Sequence, residues 1–524
     1  MSLEIVTEPV NIEQIITKEK IQVMFEHDII VPDTKEDVNN ILYVDSELLI
    51  RENEVTNDKV KLNGSIRFNI LYLSDDEKKA IKSVDTTLPF SCEMDMLNAR
   101  SGMSGRAVAS VEHINYEVVN SRKMNIKTFV NLYVKVYDEL SKEVITHIRS
   151  EENIQTLDDT VKINLYLGEN RTSHLVKESM QVPESKFAIK EILSNKLKIT
   201  EKECKITENC VVVEGVLNIT TMFIGDDEKN SIQIVENETS FSQTLELQGI
   251  NDRDISEANF EILEWNIVPR EDSDGELRVL DVEVLLNIYV KGYTARELNM
   301  VLDAYTSKSR IELEKEYIRS HEIAREFKEQ IVVKESFALE NYDSNIIEVV
   351  NVTCKPSSHE FKNINDRIII EGVISANALY LLEKENQTLQ SICREIPFRH
   401  EIYIDSSSED KFYELDFDIL HCGYSIVSQN EIELRLTVGL ITKIIKNRLY
   451  SIAREAVENP IEEEKMRNNP SITVYFTKPG DTLWKIGKEY LTNVDIIKNI
   501  NNLNEILSRD EISQGLQIII PRYA

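Results

Sequence analysis

The 524-residue sequence predicts a mainly β protein, made of β-rich repeated domains with minor helix and followed by a small α+β module. Three observations carry this. One segment recurs three times without a gap, its apolar residues fall on every second position, and a single stretch after residue 478 switches to helical spacing. Ordinary domains run to roughly 150 residues, so the length fits three or four domains better than one core.

The recurring segment reads Val60-Lys-Leu-Asn-Gly-Ser-Ile-Arg-Phe-Asn-Ile-Leu-Tyr72, Val211-Val-Val-Glu-Gly-Val-Leu-Asn-Ile-Thr-Thr-Met-Phe223 and Ile368-Ile-Ile-Glu-Gly-Val-Ile-Ser-Ala-Asn-Ala-Leu-Tyr380. Taking Gly64, Gly215 and Gly372 as origins, Tyr72, Phe223 and Tyr380 stand eight residues on. Phe90, Phe241 and Phe398 stand twenty-six on, and Val111, Ile262 and Ile419 forty-seven on, while Pro32, Pro183 and Glu340 lie thirty-two before. The origins are 151 and 157 residues apart, one domain length each. The expected domains are therefore 1–150, 151–320 and 321–450, then a polar, proline-bounded linker over 451–470 and a module over 471–524.

Within each segment the period of two is that of a strand with one buried face. The glycine falls on the buried side, where it weakens a strand, so its recurrence predicts a bulge or a close approach by another backbone. Ser74-Asp-Asp-Glu-Lys78, Gly225-Asp-Asp-Glu-Lys229 and Leu382-Glu-Lys-Glu-Asn386 follow as solvated hairpin turns. They lack the Asp-x-Asp-x-Asp-Gly order with a distal Glu that surrounds calcium with oxygens. Alternating runs from Met124 to Val136, Arg278 to Val290 and Glu431 to Ile441 close each unit. Short helices are expected near Val38 to Leu42 and Ala188 to Leu193.

Sixty basic against 92 acidic side chains give a net charge of −32. This argues against a nucleic-acid or anionic-membrane surface, which needs clustered Lys and Arg, and it opposes self-association at low salt. The opening Met1-Ser-Leu-Glu-Ile-Val-Thr-Glu has no basic region leading into an apolar one, so a cytoplasmic protein is expected. No apolar run approaches the roughly 20 residues that span a bilayer. Six cysteines without Cys-x-x-Cys spacing read as free thiols in a reducing compartment.

Eight histidines show no pair at i, i+4. His421-Cys422 invites a nucleophilic dyad, but neighbours on a strand point to opposite faces, and the equivalent positions hold His113-Ile114 and Glu264-Trp265. Nucleotide-binding and hydrolase glycine motifs are absent. No enzyme activity, cofactor or metal is expected.

The last module opens with a strand pattern, Ile472-Thr-Val-Tyr-Phe476, and turns into a helix through Lys478-Pro-Gly-Asp-Thr-Leu-Trp484. Asp481 or Thr482 is placed to cap that helix, and Leu483, Ile486 and Tyr490 form its buried stripe. A second helix is expected near Val494 to Ile500, and Gln517 to Pro521 returns as a strand. Trp484 has Gly487 and Lys488 as helical neighbours, which leaves its ring partly exposed beside a flat glycine patch. Trp so placed is suited to anchor a protein partner; the alternative is packing over the module's own core. From Ser471 onward six basic residues balance six acidic ones, so the excess negative charge lies upstream.

This module resembles the LysM family, a βααβ unit of about fifty residues, through Lys478-Pro-Gly-Asp-Thr-Leu-Trp-Lys-Ile486, Asn501-Asn-Leu503, Gly515 and Ile520-Pro521. The resemblance implies binding of N-acetylglucosamine polymers between Gly480-Asp-Thr-Leu483 and the stretch from Asn504 to Asp510. Two positions depart from the pattern: Leu491 replaces the Gly that ends the first helix, and Leu516 replaces the Gln that follows the late Gly.

The repeats in turn resemble the sporulation domain found in clostridial spore-coat morphogenetic proteins. Leu62-Asn-Gly64 with Tyr72 and Pro89-Phe90, Val213-Glu-Gly215 with Phe223, and Ile370-Glu-Gly372 with Tyr380 and Pro397-Phe398 carry that resemblance. The middle unit has Ser240-Phe241 in place of Pro-Phe. The combination implies a non-enzymatic scaffold in the mother-cell cytoplasm at the forespore surface, whose LysM module binds the basement-layer coat ATPase, stage IV sporulation protein A. Ile472, Asp481, Thr482, Leu483, Trp484, Lys485, Ile506 and Leu507 are the residues expected to contact that partner. The alternative is a wall protein that binds peptidoglycan.

Overall fold

The computed structural model describes residues 3–76, 80–150, 153–338, 345–364, 367–383, 388–404, 411–461, 470–503, 505 and 508–521. Each repeat is a pair of three-stranded antiparallel sheets. In the first, β1 (Glu4–Ile30), β6 (Lys123–Arg149) and β5 (Ser104–Asn120) lie side by side in that order, facing β2 (Val38–Thr56), β3 (Lys59–Ser74) and β4 (Ile81–Asp95). The second repeats this with β7 (Gln155–Gln181), β12 (Leu277–Tyr305) and β11 (Ile255–Glu271) facing β8 (Ile189–Thr207), β9 (Cys210–Gly225) and β10 (Ile232–Glu246). The third does so with β13 (Ser309–Ala338), β18 (Glu431–Pro460) and β17 (Lys411–Ser428) facing β14 (Ile346–Ile364), β15 (Arg367–Leu382) and β16 (Thr388–Tyr403). The end of β12 pairs with the start of β13, so the long-strand layers of the second and third units run on as one six-stranded sheet.

The period-two runs form the cores between the sheets. Met124, Ile126, Val130, Leu132, Val134 and Val136 on β6 are all fully buried, as are Val284, Leu286, Ile288 and Val290 on β12 and Ile432, Leu434, Leu436 and Val438 on β18. Each such side chain contributes roughly 1.5–3 kcal/mol relative to an exposed one.

The recurring glycine answers both expectations at once. Gly64, Gly215 and Gly372 stand directly opposite Phe90, Phe241 and Phe398 on the next strand. A β-carbon on Gly64 would lie 2.6 Å from the Phe90 ring and 2.3 Å from the Leu49 carbonyl, and one on Gly215 would lie 2.7 Å from Phe241. The strand on the other side bulges at this level, between Ile50 and Glu52 in β2, Thr200 and Glu203 in β8, and Pro356 and Ser358 in β14. The ring lies over the gap that the missing side chain leaves, and the glycine recurs because the phenylalanine does.

Two expectations are corrected. The short helices near Val38 and Ala188 are strand: β2 starts at Val38 and β8 at Ile189. Val38 and Ile41 face their own unit's core while Leu42 faces the neighbouring units, and bulges follow Val38 and Ile41. Burial on two faces plus bulges imitates helical spacing. The third unit, expected over 321–450, runs from Ser309 to Pro460, because β13 and β18 pair along their whole length, Ser309 against Pro460. Residues 451–460 of the expected linker are therefore strand; 462–469 lie outside the described residues, as does Glu340.

The three units close on one another. Leu71, Met222 and Leu379, seven residues past each origin, meet in one apolar cluster with Leu42, Leu193 and Val350. This is why β3 and β9 alternate at first and then become buried on both faces. A second cluster draws Val10, Val144, Ile163, Leu298, Ile318 and Ile452 from all six long strands. Equivalent lysines cross from unit to unit: Lys135 to Glu414, Lys291 to Glu13, and Lys443 to Glu257, the last at 3.2 Å. Glu257 and Glu414 are equivalent residues. Their counterpart in the first unit is Arg106, whose guanidinium lies 4.5 Å from the Tyr289 ring instead, and Lys291 turns to Glu13.

Asp45 breaks the symmetry further. Its buried carboxylate pairs with Lys196 of the second unit at 3.1 Å and with Lys355 of the third. Burial alone would raise this carboxyl, but Lys355 and Lys196 together hold it well below the usual carboxylate range.

Two outcomes follow. Gly64→Ala is expected to destabilise the chain by about 1–3 kcal/mol, measured by urea denaturation, whereas Gly423→Ala, whose nearest neighbour would be 3.5 Å away, changes little. Asp45→Asn leaves two lysines without their acid and is expected to cost about 3–5 kcal/mol at neutral pH. Because the folded carboxyl titrates below its free value of 3.8, its contribution is complete above that pH and is lost as the pH falls through the lower folded value. An acid titration of unfolding should show this component in the native chain and lack it in the variant.

Candidate functional site: the last module and its seat

The module is built on local signals. β19 (Ile472–Phe476) pairs antiparallel with β20 (Gln517–Pro521), and α1 (Leu483–Tyr490) and α2 (Val494–Asn501) pack on one side of them. Thr482 caps α1, its hydroxyl accepting from the Lys485 amide at 3.1 Å. Asp481 serves the turn instead, accepting from the Lys478 amide at 2.7 Å and from the Tyr475 hydroxyl at 2.8 Å. Leu491 ends α1 with a φ of 55°, a left-handed conformation that costs a non-glycine residue roughly 1–2 kcal/mol; its side chain packs on the module's core. Asn501 completes the open edge of β20, exchanging hydrogen bonds of 2.7 and 2.8 Å with the backbone of Ile519.

Leu483 and Ile486 are buried in the core. Trp484 is buried too, at 6% exposure, where the sequence leads one to expect a partly open ring. It is covered by the chain itself. Its indole Nε1 donates to Asp303 Oδ2 at 2.9 Å, and its ring meets Tyr305 edge to face at 5.1 Å. Lys488 Nζ reaches the other oxygen of Asp303 at 2.6 Å, and Arg509 reaches Asp159 at 3.0 Å. Tyr305, at the end of β12, donates to the Thr492 carbonyl at 2.8 Å. Burial, with Asp303 and Asp495 nearby, pushes its phenol well above the usual range, so it remains a donor.

The flat glycine patch has a structural use. A β-carbon on Gly487 would lie 2.6 Å from the Tyr305 hydroxyl, so only glycine admits that ring. Asp159, Asp303 and Tyr305 are the contacts that sequence reasoning missed. They lie 179 positions and more from their partners, Tyr305 to Trp484 being the shortest separation, and the one local hint, a Trp beside Gly487 and Lys488, does not name what covers it.

Among the expected contact residues, the structure thus turns Leu483 and Trp484 inward and uses Asp481 and Thr482 to hold the turn. Lys485 folds back to the Gly480 carbonyl at 2.7 Å. Ile506 and Leu507 lie outside the described residues, as does Asn504. Ile472 is different: 62% exposed, it shares the outer face of the two-stranded sheet with Val474, Phe476 and Ile519, all exposed. Val474 and Ile519 are direct cross-strand partners, and Ile472 stands opposite Pro521.

The two loops that would flank a glycan are tied to each other. The Trp484 amide donates to the Ser508 carbonyl at 2.9 Å, the Ile512 amide to the Asp481 carbonyl at 2.9 Å, and Thr482 bridges to Glu511. Among the described residues no three His, Cys, Asp or Glu side chains are grouped to hold a metal, and no helix is long and apolar enough to cross a membrane.

Fold and site together define a protein of three copies of one double-sheet unit with a βααβ module seated on them. The SipL SPOCS domain model matches residues 37–119, 188–268 and 345–427, and the LysM domain model matches 475–521. The chain therefore carries three SPOCS domains of the SipL family and a LysM domain, a sporulation protein built from non-catalytic domain families. Each SPOCS match covers the second to the fifth strand of a unit; the long strands that complete the unit lie outside it. No curated protein and no solved structure matches the chain.

Asp303→Ala removes the acceptor of both Trp484 and Lys488. It is expected to weaken the seat by about 1.5–3 kcal/mol, seen as a red shift of tryptophan emission and a larger radius of gyration in X-ray scattering. Lys478→Ala, at an exposed turn, should leave both unchanged.

Proposed function

We propose that the protein is a non-enzymatic scaffold of spore-coat assembly in the mother-cell cytoplasm, at the forespore surface. Its LysM module binds the basement-layer coat ATPase, stage IV sporulation protein A, and the three-unit body holds that contact in place. The observation that carries this reading is the outer face of β19 and β20, where Ile472, Val474, Phe476 and Ile519 present a contiguous apolar surface to solvent. Such a patch, on a module whose other side already rests on its own chain, is the mark of a protein contact. The family resemblance supplies the partner.

LysM modules as a family favour a glycan, and the competing reading is a peptidoglycan-binding wall protein. The loop amides of Trp484 and Ile512 are engaged within the module, which supports the protein partner. Ile472→Glu places a charge in the apolar face without touching the core. It is expected to lower capture of the ATPase by the full chain at least tenfold, while Lys478→Ala captures it normally. Saturable sedimentation of the full chain with purified peptidoglycan, together with no capture of the ATPase by the native chain, would overturn the proposal in favour of the wall protein; undiminished capture by the Ile472 variant would overturn the outer face as the docking site.

A further inference from the structure

Two of the six cysteines face each other. Cys354 lies on β14 and Cys422 on β17, one on each of the two opposed sheets of the third unit, and their Sγ atoms are 3.1 Å apart. They are 68 positions apart in sequence. The other units do without this contact. Cys354 stands opposite Ala376, and the residues in the same register are Ser46 opposite Phe68 and Leu197 opposite Ile219; Cys422 corresponds to Ile114 and Trp265. The fold therefore does not demand a sulfur at either place.

Both side chains are half-buried against the unit's apolar core, so they are sheltered from water without being sealed. The contact also sets their acidities apart. The hydrogen bond with Cys354 holds the Cys422 thiol below its usual range, against the opposing effect of burial; the same hydrogen bond, with burial, pushes Cys354 up. Cys422 is thus the more acidic of the two thiols, the one that more readily becomes the nucleophile. Closing 3.1 Å to the roughly 2.05 Å of a disulfide asks for about 1 Å of movement.

We propose that Cys354 and Cys422 form a dithiol site that low-molecular-weight disulfides oxidise, joining the two sheets of the third unit. The Cys422 thiol loses its proton to solvent and its sulfur attacks one sulfur of the small disulfide, forming a mixed disulfide and releasing one thiolate. Cys354 then loses its proton to solvent and attacks Cys422 Sγ, forming the Cys354–Cys422 bond and expelling the second thiolate. Both released thiolates take up protons. The protein loses two electrons and two protons, and one disulfide becomes two thiols. The product fastens together β14 and β17, which no backbone ladder connects, immediately beside Lys355 and the ion pair it makes with Asp45.

The reduced full chain, incubated with oxidised glutathione, blocked with iodoacetamide and digested, reports the outcome by mass spectrometry. Two of six thiols are expected to disappear, with one cross-linked peptide joining Cys354 to Cys422. Cys354→Ser lacks the resolving sulfur and is expected to stop at a glutathione adduct on Cys422. Retention of all six thiols, or adducts spread over Cys92, Cys204, Cys210 and Cys393 without the cross-link, would overturn the proposal. So would a Cys354→Ser chain, folded by circular dichroism, with no preference for Cys422.

Discussion

The junction of the three units is the constraint on which the rest depends. A double-sheet unit buries one face of each sheet by itself, yet Leu71, Met222 and Leu379 point away from their own cores and are buried only because the other units meet them. Apolar packing of that kind is indifferent to which unit sits where. The charges are not. Asp45 finds lysines only because the second unit offers Lys196 and the third Lys355, and in the seam between the first and second units Lys291 pairs with Glu13, because Arg106, over Tyr289, stands where the other seams have their Glu. Buried ion pairs add little net stability, since desolvation offsets attraction. Their effect here is to make one arrangement of three similar units cheaper than its permutations.

Much of this architecture was legible in the sequence because it is local. The glycine and the phenylalanine twenty-six residues later are a cross-strand pair across one hairpin, and period-two spacing reports one buried face wherever only one face is buried. The misread places are those where that condition fails. At Val38 and Ile189 both faces are covered and bulges shift the register, so strand sequence acquires helical spacing. The ends of the third unit were misplaced because β13 and β18 hold each other over 30 residues through backbone pairing, which leaves no trace in side-chain pattern.

The LysM module shows the same division. Its turn, caps and core could be placed from spacing, since Thr482, Leu483 and Ile486 act within a few residues of one another. What Trp484 does could not, because the atoms that decide it belong to Asp303 and Tyr305. A Trp flanked by a glycine and a lysine reads as an anchor for a partner, whereas in the structure its ring is packed within the chain, against the end of β12. Chemistry was legible here and address was not.

That docking changes what the module can offer a partner. Taken alone its six basic and six acidic residues cancel, but Lys488 and Arg509 are consumed by Asp303 and Asp159. The chain as a whole carries a net charge of −32. Two copies therefore repel at long range, and the exposed β19, which would otherwise invite pairing with itself, is kept from doing so by charge. On the proposed function, a partner approaches against, or is matched to, an acidic field and is held at short range by Ile472, Val474, Phe476 and Ile519. Selectivity then resides in the pairing of a small apolar face with a repulsive surround: the charge rejects acidic surfaces before contact, and the apolar face rewards only a complementary shape at contact.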